Sequence, residues 1–161
     1  MAKLMRGVFT IALLVAVGCT DDDEEALTPQ AFDNTLTPQQ EVPVCASAAA
    51  GGVGTIHLAI ADDASSILVD PLTFSGLSGP ATAAHIHFGA SGVAGPIVLD
   101  FGPNPTSPVV RTFTAADYPS PAPTGAPATF GAFITLMRAG DSYVNVHTAA
   151  CPTGEIRAQL Q

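Results

Sequence analysis

The segments Ala84-His85-Ile86-His87-Phe88 and Tyr143-Val144-Asn145-Val146-His147-Thr148 each alternate with a period of two. That is the spacing of a strand with one face in a core and the other turned away from it. In the first segment Ala84, Ile86 and Phe88 form the apolar set, so His85 and His87 share the opposite face. In the second, Val144 and Val146 face inward and leave Tyr143, Asn145 and His147 on the other side. Three of the chain's four histidines thus lie on polar strand faces far apart in sequence, and they converge if the two strands are neighbours.

The flanking sequence extends the same pattern. Residues 53–61 read as a strand with Ile56, Leu58 and Ile60 on one side and Thr55, His57 and Ala59 on the other. Asp62-Asp63-Ala64-Ser65 is a turn signal, after which residues 66–74 return as the hairpin partner. Leu77-Ser78-Gly79-Pro80 turns into the His85/His87 strand, and Gly89, Gly92 and Gly95 make a tight loop behind it. Further strands are expected at 97–101, 109–113, 142–148 and 154–160, and the last has Ile156, Ala158 and Leu160 inward, opposite Glu155, Arg157 and Gln159. Residues 40–43 read as an edge strand, because Pro43 has no N–H to give to a ladder. Seven prolines between 102 and 127 mark a surface excursion. Residues 129–139 fit one short helix, with Phe133, Leu136 and Met137 on one side. About eight strands, short turns and no internal repeat predict an all-β antiparallel sandwich with Greek-key character.

Composition agrees with this class. Of 161 residues 47% are hydrophobic and only 12% charged, while 15 Gly and 14 Pro disfavour a helical bundle. Residues 1–18 have the form of an export signal: Lys3 and Arg6, then an apolar run from Val8 to Val17, then Gly18-Cys19. Val15-Ala16-Val17-Gly18-Cys19 resembles a bacterial lipobox, with Ala16 where Leu is usual, so Cys19 is expected to carry lipid and fix the protein to the cell envelope. The competing reading is an ordinary secretory signal with Cys19 left as a free thiol.

Removing residues 1–18 takes two basic side chains and no acid, leaving three basic against 14 acidic groups, a net charge of −11. Such a surface repels phosphate backbones, which excludes nucleic acid as a partner. Residues 19–35 read as an acidic disordered tether, led by Asp21-Asp22-Asp23-Glu24-Glu25. Cys45 and Cys151 remain, and two cysteines in an exported domain are expected to pair. No heptad or exposed apolar helix argues for an oligomer, so a monomer is the default.

His85 and His87, two apart on a strand, offer a bite that suits one Zn²⁺ or Cu²⁺, with His147 as third ligand and His57 as a distant fourth. The alternative is that the histidines and Asn145 bond across strands or to loop carbonyls and fix the glycine-rich turn. Tyr143, Asn145, Glu155 and Arg157 extend the polar face, and opposite charges there are more often a cross-strand pair than a catalytic one. No Gly-x-Ser-x-Gly elbow, phosphate loop or zinc-protease helix is present.

Residues 36–161 resemble the CHRD domain, a module named from chordin and common in bacterial exported proteins. The resemblance is carried by Leu36-Thr-Pro-Gln-Gln-Glu41-Val-Pro43, Ala83-Ala-His85-Ile-His87-Phe88, Gly95-Pro96, Tyr143-Val-Asn145-Val-His147-Thr148 and Pro152-Thr-Gly154-Glu155-Ile-Arg157-Ala-Gln159. It departs at Cys151, where the family more often has Asn, and at Ala158, where Gly is usual. The resemblance implies an immunoglobulin-like β-sandwich and a binding or interaction module of the envelope, without an evident catalytic constellation. A His-x-His strand in such a sandwich is similar, by analogy of fold alone, to Cu/Zn superoxide dismutase. The zinc-ligand loop of that enzyme has no counterpart in residues 89–96, which lack His and Asp.

Overall fold

The computed structural model describes residues 30–161, so the expected signal segment, Cys19 and the acidic run lie outside the described residues. Eight strands follow in chain order: β1 (Gln30–Leu36), β2 (Val53–Ile60), β3 (Ser66–Ser75), β4 (Ala81–Phe88), β5 (Ile97–Asp100), β6 (Val109–Thr114), β7 (Ser142–Thr148) and β8 (Ile156–Gln159), with helix α1 (Phe130–Arg138) between β6 and β7. They form two four-stranded sheets, β1-β2-β3-β6 and β5-β4-β7-β8, in which every pairing is antiparallel. The chain changes sheet after β3, returns after β5 to pair β6 with β3, and crosses again to pair β7 with β4. The result is the expected β-sandwich with Greek-key connections.

The alternation built this core. Ile56, Leu58 and Ile60 of β2, Ile67, Val69 and Leu72 of β3, Ile86 of β4, Phe113 of β6, Val144 and Val146 of β7 and Ile156 of β8 are all buried between the sheets. Cys45 and Cys151 form a disulfide with a Cα–Cα distance of 5.8 Å. Helix α1 begins where the Thr129 hydroxyl accepts from the Ala132 N–H at 3.2 Å and stops at Gly140, whose φ is +86°. It buries Phe130, Phe133, Ile134 and Met137, the i, i+3, i+4, i+7 stripe of an amphipathic helix. Leu136, expected on that stripe, is only half-buried. The proline-rich excursion is pinned by Tyr118, whose hydroxyl donates to Pro127 O at 2.7 Å and whose ring packs on Phe130 and Phe133.

Two expectations are corrected. The tether was expected to reach residue 35, but β1 starts at Gln30, so the folded domain begins no later than there. Its alternation is hidden because Asn34 holds the position between the buried Phe32 and Leu36 and gives its Nδ2–H to Gln161 O at 3.2 Å. Residues 40–43 are not an edge strand. Pro38 instead opens a 3-10 helix (Pro38–Gln40), where a proline's missing N–H costs nothing, and the Glu41 N–H closes it on Pro38 O. Just before it, Thr37 exchanges two backbone hydrogen bonds with Arg157, at 3.0 and 3.1 Å. The chain thereby leaves the first sheet and is fastened to the edge of the second.

Candidate functional site

Every residue of β7 and β8 is buried, including those on the face directed away from the core. Antiparallel sheets usually leave one face to water. Here two segments cover it: residues 37–49, tied down by the Cys45–Cys151 bridge, and the glycine-rich 89–95 loop. The register lays the polar side chains out in rows. His85 stands opposite Asn145 and Asn145 opposite Arg157, while His87 stands opposite Tyr143 and Tyr143 opposite Gln159.

At the β4–β7 side the three histidines meet, as expected. His85 Nδ1 is 2.9 Å from His147 Nε2, and His147 Nε2 is 2.9 Å from Asn145 Oδ1. His87 Nδ1 lies 2.9 Å from Gly95 O, and His147 Nδ1 lies 3.1 Å from Pro152 O. His87 also stacks on Tyr143, with centroids 4.6 Å apart and planes at 9°. Burial holds all three imidazoles below the usual histidine range, and His87 falls to about 4. They are therefore neutral at physiological pH, the state in which an imidazole presents a lone pair.

At the β8 side Arg157, only 2% exposed, lays its guanidinium 3.5 Å from the Tyr143 ring centroid. It also donates to Gln159 Oε1 at 3.1 Å and to Ala90 O at 3.4 Å, while Gln159 Nε2 donates to Gly89 O and Gly140 O. Glu41, 5% exposed, sits over Gly154, where a Cβ would run into its carboxyl group. Burial raises its pKa to about 7, against the opposing pull of the Arg157 charge and the Asn145 amide. A cleft of about 290 Å³ opens at this point, lined by Gln39, Gln40, Glu41, Ser91, Arg157 and Gln159.

Two expected members of the face lie elsewhere. His57 is on β2 of the other sheet, largely exposed and 2.7 Å from Asp33, so it cannot act as a fourth ligand. Glu155 makes no ion pair with Arg157. Its carboxylate instead accepts from Ala49 N–H, Ser78 N–H and hydroxyl, and the Thr148 hydroxyl, closing the 37–49 segment and the β3–β4 turn onto β7. Burial opposes its charge, but the Ser78 and Thr148 bonds prevail and hold its pKa below the usual value. Conversely Glu41, Gln159 and Asp100 belong to the site and went unassigned from sequence. For Glu41 and Gln159 the available signal was their place inside the quoted CHRD-like fragments.

Glu41 and His87 titrate in opposite senses. A carboxyl with a folded pKa of about 7 against 4.5 binds its proton better when folded, so its contribution to stability fades as pH rises from 4.5 to 7. His87, at about 4 against 6.5, binds its proton better when unfolded, so its contribution is lost as pH falls from 6.5 toward 4. The two offset one another over the same window, each to the extent of about 3 kcal/mol. In Glu41→Gln the histidine effect stands alone. Relative to wild type, the variant is expected to gain about 3 kcal/mol between pH 4.5 and pH 8 in urea unfolding followed by circular dichroism. A difference that does not change with pH would mean that Glu41 titrates as an ordinary carboxylate.

Among the described residues no serine, threonine or cysteine hydrogen-bonds a histidine, so no nucleophile–base pair is assembled. The three histidines form a cluster of potential metal ligands, with donor atoms all within 4.8 Å of one another. A family model described as the CHRD domain matches residues 32–160. No curated protein matches the chain. No solved structure matches it either.

Proposed function

This chain belongs to the CHRD-domain family, and from that premise we propose that it is a lipid-anchored, extracytoplasmic binding module that works through the covered face of its second sheet. The observation that carries the reading is the β8 cleft: Glu41, Arg157 and Gln159 are buried at its base, and Gln39, Gln40 and Ser91 form its rim. Ordered, desolvated polar groups converging on an open cleft are what recognition of a polar partner requires. The anchor rests on the sequence around Cys19, and the partner is an envelope or extracellular molecule.

The test has two arms. Metabolic labelling with a fatty acid should mark the wild type and not Cys19→Ser, and the variant should leave the membrane fraction. A photo-crosslinking amino acid at Gln39 or Ser91 should capture a partner in cells, while one at Thr55, on the other sheet, should not. Capture that is equal at all three positions, or absent from the cleft rim, would sink the reading.

A further inference from the structure

We infer that His85, His87 and His147 form a mononuclear copper(II) site. The inference rests on the same covered face as the binding reading but on other residues of it: the cleft is at β8, the histidines on β4 and β7.

Tautomers come first. A carbonyl or carboxylate oxygen only accepts, so the ring nitrogen that faces one carries the proton. That fixes the proton of His87 on Nδ1, toward Gly95 O, and the proton of His147 on Nδ1, toward Pro152 O. His85 turns Nε2 toward the Asp100 carboxylate at 3.7 Å. At that distance no hydrogen bond fixes the His85 proton, but Nε2 of His87 and of His147 keep their lone pairs, and one ring nitrogen from each of the three histidines lies within 4.8 Å of the others. Metal-bound histidines are oriented in this way, with the far N–H held by a backbone carbonyl or carboxylate.

A second observation is independent of the first. His87 Nε2 is buried and has no hydrogen-bond partner. An unpartnered buried acceptor is disfavoured, and an ion at the centre of the cluster would satisfy it.

The donor set selects the metal. His147 Nε2 has contacts of 2.9 Å both to His85 Nδ1 and to Asn145 Oδ1. With its Nε2 outside hydrogen-bond reach of Asp100, His85 donates Nδ1–H to the His147 Nε2 lone pair, a hydrogen bond that a bound ion would replace. Copper(II), which prefers tetragonal geometry, binds an imidazole donor set more tightly than zinc does. The widest pair need close only to about 4 Å, the span of two opposed donors. No thiolate or ligating carboxylate joins the cluster among the described residues.

The experiment uses purified full-length protein carrying Cys19→Ser, so that no free thiol competes, stripped with chelator and titrated separately with Cu²⁺ and Zn²⁺. Calorimetry should give one Cu²⁺ per chain with a Kd below about 1 μM, and Zn²⁺ at least about tenfold weaker. Electron paramagnetic resonance should show a tetragonal spectrum with hyperfine structure from three nitrogens. His87→Gln, with its circular dichroism spectrum retained, should lose at least about a hundredfold in affinity. Binding that persists unchanged in that variant overturns the assignment, as does no binding tighter than about 10 μM. Zinc binding as tightly as copper overturns the choice of metal. A nitrogen count other than three in the wild-type spectrum overturns the ligand set even if the variant fails to fold. None of these outcomes alters crosslinking from Gln39, so the two readings fail separately.

Discussion

Gly95→Ala should destabilise the protein by about 3–5 kcal/mol, among the largest losses a single methyl group can cause. A Cβ at that position would sit 1.7 Å from the Phe88 carbonyl oxygen and 2.8 Å from its carbon, both backbone atoms that cannot swing aside. The strap must then lift from β4. Lifting it removes the carbonyl that receives the His87 Nδ1–H and separates the Gly95 N–H from the Tyr143 hydroxyl, 3.1 Å away. Gly92→Ala in the same loop is the control. Its φ of +76° makes alanine strained, but nothing lies within 4 Å, so a loss of about 1 kcal/mol is expected. Urea unfolding of both variants, followed by circular dichroism, measures the contrast. Equal losses would show that loop conformation, and not the close approach to Phe88, sets the requirement for glycine.

Replacing both bridge cysteines, Cys45→Ala with Cys151→Ala, should lower the unfolding free energy by about 4–5 kcal/mol, because the bridge closes a loop of roughly a hundred residues. The sequence separation of the pair is 106. More than the unfolded chain is affected, since Cys45 is the far attachment of the segment that carries Glu41 across the sheet. Within that segment only the Thr37–Arg157 bridge and the Ala49–Glu155 bond remain as polar ties to β8 and its approach. Reduction of the wild type should reproduce the loss, and both samples should show faster amide exchange in residues 41–49. A loss under about 1 kcal/mol would mean that those two ties hold the segment unaided.

The fold was legible where side chains alternate without exception. In β2, β4 and β7 the inward positions quoted above are Val, Ile, Leu, Ala or Phe, so the faces can be assigned from sequence, and with them the shared side of His85, His87 and His147. The reading failed where a polar residue holds an inward place, as Asn34 does in β1, because one hydrogen bond to the Gln161 carbonyl replaces apolar burial and breaks the pattern. It failed again at Glu41, where local sequence suggests an edge strand but Pro38 turns the chain over the neighbouring sheet. Periodicity reports which side of a strand a residue occupies, not whether another segment lies on top of it. Arg157 and Gln159 were therefore placed on the correct face, while their burial was invisible. His57 shows the same limit from the other direction: it has the polar-face signature of the cluster histidines, but which sheet β2 joins is decided by pairings distant in sequence.

Strand β1 also works as a spacer. Its Gln30 end pairs with Ile60 and its Leu36 end with Gly54, one residue short of the junction between Thr37 and Arg157. Seven extended residues cover about 20 Å. The chain from Cys19 enters at the Gln30 end, whereas Glu41 and the cleft lie beyond the Leu36 end. Under the anchoring proposed above, the lipid would join the domain at one end of β1 and the cleft would open at the other, so that this strand separates the point of attachment from the point of recognition.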